Sequence, residues 1–295
     1  MKILGNYTNG NYKVMLFEDG TKIRRNELDY FEPEFPESMD VKITNKCDMN
    51  CSFCHENSTV NGKHGDILNA KFIDTLKPFT EVANGGGDIT SHPDLIPYLK
   101  KLKAKRVIAN ITVNQKHFEQ KQSLIKNLIE NDLIKGLGVS LVGATPEFIK
   151  LIKQYDNTVV HVINGIASEI DLEALSNNGL KVLILGYKEL RRGKVHMQKE
   201  ALAIKHKQKW LYDNLNKLKF EVMSFDNLAL EQLDVKRLMS DDEWERFYMG
   251  DDGCYTMYVD LVERKFASSS TANTRYDLLD DATEMFKVVR TEDIK

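Results

Sequence analysis

The stretch KITNKCDMNCSFC, residues 42–54, decides the fold that this sequence predicts. It places Cys47, Cys51 and Cys54, three of the chain's four cysteines, directly after the strand-like run 39–44. Thiols this close together cannot bridge distant segments as disulfides, and they fit metal ligation in a reducing compartment. Each iron of a four-iron cluster needs its own external ligand, so three thiolates leave one iron open. The spacing therefore predicts an iron–sulfur site with one position free for a small molecule.

Two other interpretations of these cysteines stay open. A zinc knuckle needs a fourth ligand, for which His55, His64 or the distant Cys254 are candidates. Zinc sites usually take their ligands in pairs from two separated elements, and the chain has no second C-x-x-C pair. The other alternative is chance clustering of structural thiols, which the polar, Asn-rich surroundings do not favour.

From residue 39 onwards, short apolar runs alternate with helical stretches. The strand candidates, rich in Val and Ile, are 39–44, 81–84, 106–113, 136–142, 159–166 and 180–186. The predicted helices between and after them are 66–78, 93–103, 115–133, 146–155, 168–177 and 198–219. This alternation is typical of βα units around a parallel sheet. Six units predict an α/β fold, a partial (β/α)6 barrel of the TIM type rather than a closed eight-strand barrel.

The segments on either side of the predicted barrel have different sequence patterns. Residues 1–38 predict a small N-terminal β-meander with a hairpin across Asn9-Gly10, followed by a Pro-rich linker. Residues 226–295 predict a C-terminal α+β extension with a capping box at Ser240, a hairpin formed by 254–261 and 265–269, and a closing helix over 281–290. The predicted domains are therefore 1–38, 39–225 and 226–295.

Composition limits the partners. The 295 residues are 42% hydrophobic and 29% charged, as in ordinary globular proteins, and the net charge of -3 argues against a nucleic-acid-binding protein. No apolar run approaches the roughly 20 residues of a membrane span. The N-terminus is patterned as a strand rather than a signal peptide. We expect a cytoplasmic protein with neither membrane nor nucleic-acid partners.

The cysteine stretch resembles the signature of the radical S-adenosylmethionine superfamily, C-x-x-x-C-x-aromatic-C after the first barrel strand, with Phe53 in the aromatic position. The resemblance implies that Cys47, Cys51 and Cys54 bind a 4Fe–4S cluster whose free iron is chelated by S-adenosylmethionine. It also implies a reducing partner, such as a flavodoxin or ferredoxin. The reduced cluster would split the cofactor into a 5′-deoxyadenosyl radical, which abstracts a hydrogen from the substrate.

The resemblance extends over about residues 39–225. Asn84-Gly85-Gly86-Gly87-Asp88 follows the second strand, where the family has a G-G-E-P loop for the methionine amino group; here Gly87-Asp88 replaces Glu-Pro. Without the cysteines, this run could be a plain strand-to-helix turn. Three further polar residues at strand ends are implied as cofactor contacts, although each alone could be an ordinary strand-end residue: Asn114, Ser140 and Asn164.

Two features bear on the substrate. Lys188, Arg191 and Arg192 form a basic patch after the last barrel strand, which could hold a carboxylate or phosphate or could simply be solvated. Residues 250–260 resemble a degenerate C-terminal hairpin of peptide-modifying members, in which only Cys254 remains of the cysteines that bind auxiliary clusters. Cys254 is therefore either a buried structural thiol or a hydrogen donor to the substrate. The hairpin resemblance favours a peptide or protein substrate; the alternatives are a nucleotide or phosphorylated metabolite, which the basic patch would hold, and a non-catalytic metal-binding module.

Overall fold

The computed structural model describes residues 2–28 and 30–292. The chain begins with an antiparallel sheet of β1 (Ile3–Asn9), β2 (Tyr12–Phe17) and β3 (Lys22–Arg25). Asn9 pairs with Tyr12, so the predicted hairpin is confirmed. Gly10 in its turn has a φ of 58°, in the left-handed region that favours glycine, and a Cβ there would overlap the Glu32 carbonyl oxygen.

The six predicted barrel strands are present, parallel and adjacent in chain order. They are β4 (Ser38–Thr44), β5 (Glu81–Gly86), β6 (Ile108–Asn114), β7 (Gly136–Ser140), β8 (Thr158–Ile163) and β9 (Lys181–Leu185). The helices between them are α1 (Phe72–Thr75), α2 (Leu95–Ala104), α3 (Gln115–Gln120), α4 (Gln122–Glu130), α5 (Pro146–Ile152) and α6 (Glu169–Leu175). The α/β fold of the partial TIM type is confirmed.

The sheet extends beyond the six strands on both sides. β10 (Val222–Phe225) continues it parallel to β9, and β11 (Thr256–Asp260) lies parallel to β4 on the other side. β11 then pairs antiparallel with β12 (Lys265–Ala267), which pairs with β13 (Tyr276–Asp277). The predicted C-terminal hairpin is thus confirmed. Its first strand also belongs to the main sheet, a pairing over more than two hundred residues that local patterning could not predict.

Several helix boundaries differ from the prediction for local reasons. The helix expected over 66–78 is only α1, because Asp66 instead accepts a hydrogen bond from the Asn69 backbone N–H in a turn. The helix expected over 115–133 is broken at Lys121, whose φ of -111° and ψ of 34° separate α3 from α4. α7 (Arg192–Asn214) begins six residues before the predicted start at 198 and is kinked at Glu200.

The remaining helices are α8 (Asn227–Gln232), α9 (Asp241–Phe247) and α10 (Ala282–Glu292). The capping box before α9 is confirmed: Ser240 Oγ accepts from the Glu243 N–H, and Glu243 Oε2 accepts from the Ser240 N–H. Across the described ranges, no helix combines the length and the apolar character that crossing a bilayer requires.

Alternate residues of β4 face the core and the barrel interior. Met39, Val41 and Ile43 are buried in the core between the sheet and the helices. Since successive strand residues point to opposite faces, Asp40 and Lys42 face the interior. Charged residues on the inner face of a strand that leads into the cysteines place polar chemistry inside the barrel, next to the candidate site.

Candidate functional site

The cysteine loop, residues 45–64, follows the carboxyl end of β4 and carries all three clustered thiols, each half-buried. Backbone hydrogen bonds close it: Cys47 N–H donates to Thr59 O over 2.8 Å, and Cys54 N–H to Cys51 O over 3.2 Å. Asn50 and Asn57 have φ angles of 47° and 54°, a region that asparagine tolerates better than most residues. The asparagines noted around the motif therefore shape its backbone.

The three thiols influence one another electrostatically. Burial raises the pKa of the Cys47 and Cys51 thiols, and a neighbouring cysteine raises each further: Cys51 acts on Cys47, and Cys54 on Cys51. Bound iron would offset this, because metal ligation favours the thiolate. Within the described part of the chain, however, no group of three or more His, Cys, Asp or Glu side chains is gathered closely enough to hold a metal ion.

The donor chemistry and its surroundings fit an iron–sulfur cluster. Three soft sulfur ligands on one loop, with no fourth ligand grouped with them among the described residues, match a cluster with one open iron. Two buried polar atoms, Ser58 Oγ in the loop and Arg192 Nε beside it, have no hydrogen-bond partner among the described residues. Neither histidine considered as a zinc ligand is grouped with the thiols: His64 Nδ1 lies 2.9 Å from Thr44 Oγ1, and His55 contacts Glu56.

The glycine run after β5 has two roles. Gly87 N–H donates to Thr44 O and Asp88 N–H to Lys46 O, both over 2.7 Å, so this segment lies directly against the backbone that enters the cysteine loop. A Cβ on Gly86 or Gly87 would overlap those carbonyl oxygens. Gly85, by contrast, has open space in front of it. Gly85 is therefore the glycine that leaves room for a ligand, and the next two permit close backbone packing.

Asp88, expected to contact the cofactor's amino group, already has partners. Its carboxylate lies 2.9 Å from Lys121 Nζ and 3.5 Å from His117 Nδ1. The other ring nitrogen of His117 lies 2.7 Å from Asp48 Oδ1, and this hydrogen bond lowers the pKa of the Asp48 carboxyl. The buried His117 therefore links the glycine run to the residue directly after Cys47. The sequence analysis did not identify this link, because His117 and Lys121 lie on and next to a helix well separated from the motif.

The three polar strand-end residues have different surroundings. Asn114 caps α3 by accepting from the Lys116 N–H over 2.9 Å, and it lies opposite Ser140 in the sheet register. Asn164 follows β8 and is buried, with its Nδ2 donating to Gln232 Oε1 over 3.0 Å. Its Oδ1 is buried without a hydrogen-bond partner among the described residues, so it could accept from a ligand or a water molecule.

A histidine that the sequence analysis did not identify lies inside the barrel. His161 of β8 is opposite Ser140, and its ring covers Gly138, where a Cβ would overlap the imidazole. Burial lowers the pKa of His161 to about 4, so the ring is neutral at pH 7. Its position between Val160 and Val162, both in the core, was the available signal: period-two alternation directs the intervening residue inwards.

The basic patch after β9 contacts mainly the protein itself. Arg192 donates to Asn50 Oδ1 and to Ser58 O, each over 2.6 Å, and Arg191 Nη1 lies 3.2 Å from Glu56 Oε2. Both arginines thus bind the cysteine loop. Lys188 donates to Ser270 Oγ over 2.8 Å. These partners do not favour the patch as an anion clamp.

Phe53, in the aromatic position of the motif, contacts α7. Its ring centroid lies 6.0 Å from that of His196, so the aromatic residue helps to dock the cysteine loop against the helix that follows β9. The ring therefore supports the loop from the α7 side.

Cys254 is not brought to the other cysteines. It precedes β11, whose Thr256 pairs with Ser38 at the start of β4, whereas the cysteine loop follows the end of β4. At about 3.3 Å per strand residue, the length of β4 corresponds to roughly 20 Å. Its position supports neither a fourth metal ligand nor a hydrogen donor beside the cysteine loop.

No protein-family model and no curated protein sequence matches this chain. Solved structures do match it. A crystal structure of Streptococcus suis SuiB bound to S-adenosylmethionine superposes with a TM-score of 0.61 and 12% identity, covering 97% of this chain and 86% of SuiB. The crystal structure of SuiB bound to the precursor peptide SuiA superposes with a TM-score of 0.62 and 12% identity, covering 95% of this chain and 86% of SuiB. The chain has the fold of SuiB. A third structure of SuiB superposes with a TM-score of 0.57 and 13% identity, covering 97% of this chain and 86% of SuiB.

The coverage includes both flanking segments as well as the barrel. The small N-terminal sheet and the C-terminal strands therefore belong to the shared architecture. At 12–13% identity this likeness establishes the fold alone, and the chemistry must be argued from the side chains of this chain.

Proposed function

We propose that this chain is a radical S-adenosylmethionine enzyme that modifies a peptide. The observation that carries the proposal is the placement of Cys47, Cys51 and Cys54 on one loop at the carboxyl end of the first barrel strand. Catalytic sites of barrel folds lie at this end. The SuiB fold, which accommodates S-adenosylmethionine in one structure, supports the same assignment.

The three cysteines would hold a 4Fe–4S cluster, and Phe53 would support their loop. The space in front of Gly85 and the free Oδ1 of Asn164 are suited to S-adenosylmethionine, with Asn114 and Ser140 at neighbouring strand ends. A bound and reduced cluster would supply the electron for reductive cleavage of S-adenosylmethionine, the chemistry that would start hydrogen abstraction from the substrate. The protein's own contribution is to orient both molecules and exclude water.

The proposal also covers the electron donor, the compartment and the domain division. The electron donor would be a flavodoxin- or ferredoxin-type protein in the cytoplasm. The division into a meander (1–38), a barrel (39–225) and a C-terminal extension (226–295) stays a prediction.

A peptide is the substrate class that we favour. SuiB has been crystallised with the precursor peptide SuiA, and this chain shares its fold along nearly all of its length. A nucleotide or phosphorylated metabolite would need free cations at the barrel mouth. Arg191 and Arg192, the best candidates, are engaged with the cysteine loop. The peptide assignment therefore rests on fold likeness and on this occupied basic patch.

The direct test is cofactor cleavage by the reconstituted protein. After anaerobic loading with iron and sulfide, dithionite and S-adenosylmethionine should yield 5′-deoxyadenosine. Cys51→Ala should abolish the product, whereas Cys254→Ala, the matched control outside the loop, should retain it. A fully loaded cluster that forms no 5′-deoxyadenosine would refute the proposal. About one zinc per chain with no brown chromophore would instead indicate a non-catalytic zinc module.

A further inference from the structure

A buried carboxylate lies where the cysteine motif does not require one. Glu56 follows Cys54 by two residues, and its side chain is 8% exposed. Its carboxylate lies 2.8 Å from Lys42 Nζ and 3.2 Å from Arg191 Nη1 and accepts from Tyr258 OH over 3.3 Å. A buried charge of this kind is retained only when partners compensate it.

Apart from the adjacent His55, whose Nε2 lies 3.4 Å from Glu56 Oε1, the partners of Glu56 come from three separate parts of the fold. Lys42 belongs to β4, Tyr258 to β11, and Arg191 to the segment between β9 and α7. Lys42 Nζ also lies 3.0 Å from Asp260 Oδ2 of β11. Two carboxylates and two cations therefore form one network, in which Lys42 and Asp260 are almost completely buried.

The two halves of the cysteine loop meet where Cys47 N–H donates to Thr59 O, but they have different anchors in the rest of the fold. The half with Cys47 is held by the glycine run and by the bond between Asp48 and His117. The half with Cys51 and Cys54 has Glu56 in the buried network and the contacts of Arg192 with Asn50 and Ser58. Removing Glu56 should therefore loosen the second half while leaving the contacts of the first half with the glycine run and His117 in place.

We propose that Glu56 is a positioning residue, which ties the cysteine loop to the C-terminal strand β11 and thereby holds Cys51 and Cys54 in the arrangement that the cluster requires. The cluster part of this inference rests on the proposed function, but the anchoring itself does not. It makes the C-terminal strand a structural component of the candidate metal site, although β11 lies more than two hundred residues away along the chain.

The anchoring can be tested without any cofactor, by hydrogen exchange of the metal-free protein. The amides of Cys54 and Asn57 donate to carbonyls inside the loop, so their protection reports its local opening. In Glu56→Ala these amides should exchange about tenfold faster or more, while the Gly87 and Asp88 amides, which donate to Thr44 O and Lys46 O, change little. Glu263→Ala is the matched control, because it removes the exposed carboxylate 3.7 Å from the same Arg191. Unchanged exchange in Glu56→Ala would overturn the proposal.

The cluster part is tested on the reconstituted protein. Glu56→Ala should lose iron to a chelator several-fold faster than the wild type and show an altered electron paramagnetic resonance spectrum of the reduced cluster, and Glu56→Gln should restore much of both. An identical spectrum and identical iron loss in Glu56→Ala would refute the positioning role. If the wild type forms no cluster, the proposed function fails, and hydrogen exchange still decides the anchoring. Should Glu56→Ala not fold, Tyr258→Phe, which removes one hydroxyl, must show the same effects in weaker form.

Discussion

The strongest energetic prediction concerns Lys42, the cation shared by two buried carboxylates. Its ammonium group lies 2.8 Å from Glu56 and 3.0 Å from Asp260, and the residue is 2% exposed. Lys42→Met keeps much of the aliphatic volume but removes the charge. Because Asp260 and Glu56 then lack their shared partner, the substitution should cost about 3–5 kcal/mol, the usual effect of breaking a buried ion pair.

This cost converts into a measurable melting shift. An unfolding entropy near 2.1 cal/mol/K per residue gives about 0.6 kcal/mol/K for the 295-residue chain, so Lys42→Met should lower the Tm by about 5–8 °C. The matched control is Lys71→Met, which breaks the pair with Asp280 at 2.7 Å, in which both side chains are about 70% exposed. An exposed pair contributes about 1 kcal/mol or less, so the control should shift by about 2 °C or less.

The pH dependence provides an independent check on the same reasoning. Burial by itself raises the pKa of the Glu56 carboxyl, but His55 and Lys42 outweigh it and hold the pKa well below its ordinary value of 4.5. A carboxyl with a lowered pKa stabilises the fold above 4.5, and that stabilisation is lost as the pH falls towards the folded-state pKa. In Lys42→Met, protonation instead relieves an uncompensated charge. The Tm deficit should therefore be largest near pH 7 and shrink below about pH 4.5. A deficit no larger than that of Lys71→Met, or one independent of pH, would refute the argument.

Three further predictions concern the inside of the barrel and its rim. Gly87→Ala should disturb the cysteine loop and lower iron incorporation, because its Cβ overlaps the Lys46 carbonyl, and a circular dichroism melt should show reduced stability. Gly85→Ala should melt like the wild type, since no atom of the described part of the chain lies within 4 Å of the added Cβ. It should nevertheless bind S-adenosylmethionine more weakly by calorimetry; unchanged affinity would exclude the cofactor from that space. The His161 ring should titrate near pH 4 rather than 6.5 by nitrogen NMR, and because the unfolded chain binds this proton more readily, His161→Gln should reduce the rise in stability between pH 4 and 6.5.

The barrel strands could be predicted because each is a local pattern. Runs such as Val159 to Ile163 and Lys181 to Leu185 are short, apolar and bounded by turn residues, and these features require no knowledge of neighbouring strands. The helix errors arose where a side chain or the backbone competes with helical hydrogen bonding, as at Asp66 and at Lys121. Such competition depends on the backbone geometry of single residues. Composition and periodicity are read over many residues and therefore do not detect it.

The candidate site was only partly predictable. The three cysteines are close in sequence, so their spacing by itself indicates a metal-binding site. The arginines of the basic patch were noticed, but their partners in the cysteine loop were not, because Arg192 and Asn50 are 142 residues apart. The same holds for His117 and Asp48, which are 69 residues apart. The charge of a residue is visible in a sequence, whereas the identity of its contact partner is not.

By itself, the sequence determined the parallel α/β barrel and the three thiols after its first strand, because both depend on residues that are close together in the sequence. Only the tertiary structure decided that β11 lies beside β4, that Lys42 shares its charge between Glu56 and Asp260, and that Cys254 lies at the opposite end of the sheet. The physical reason is chain connectivity: strand pairing and buried ion pairs join residues that local sequence patterns treat as unrelated.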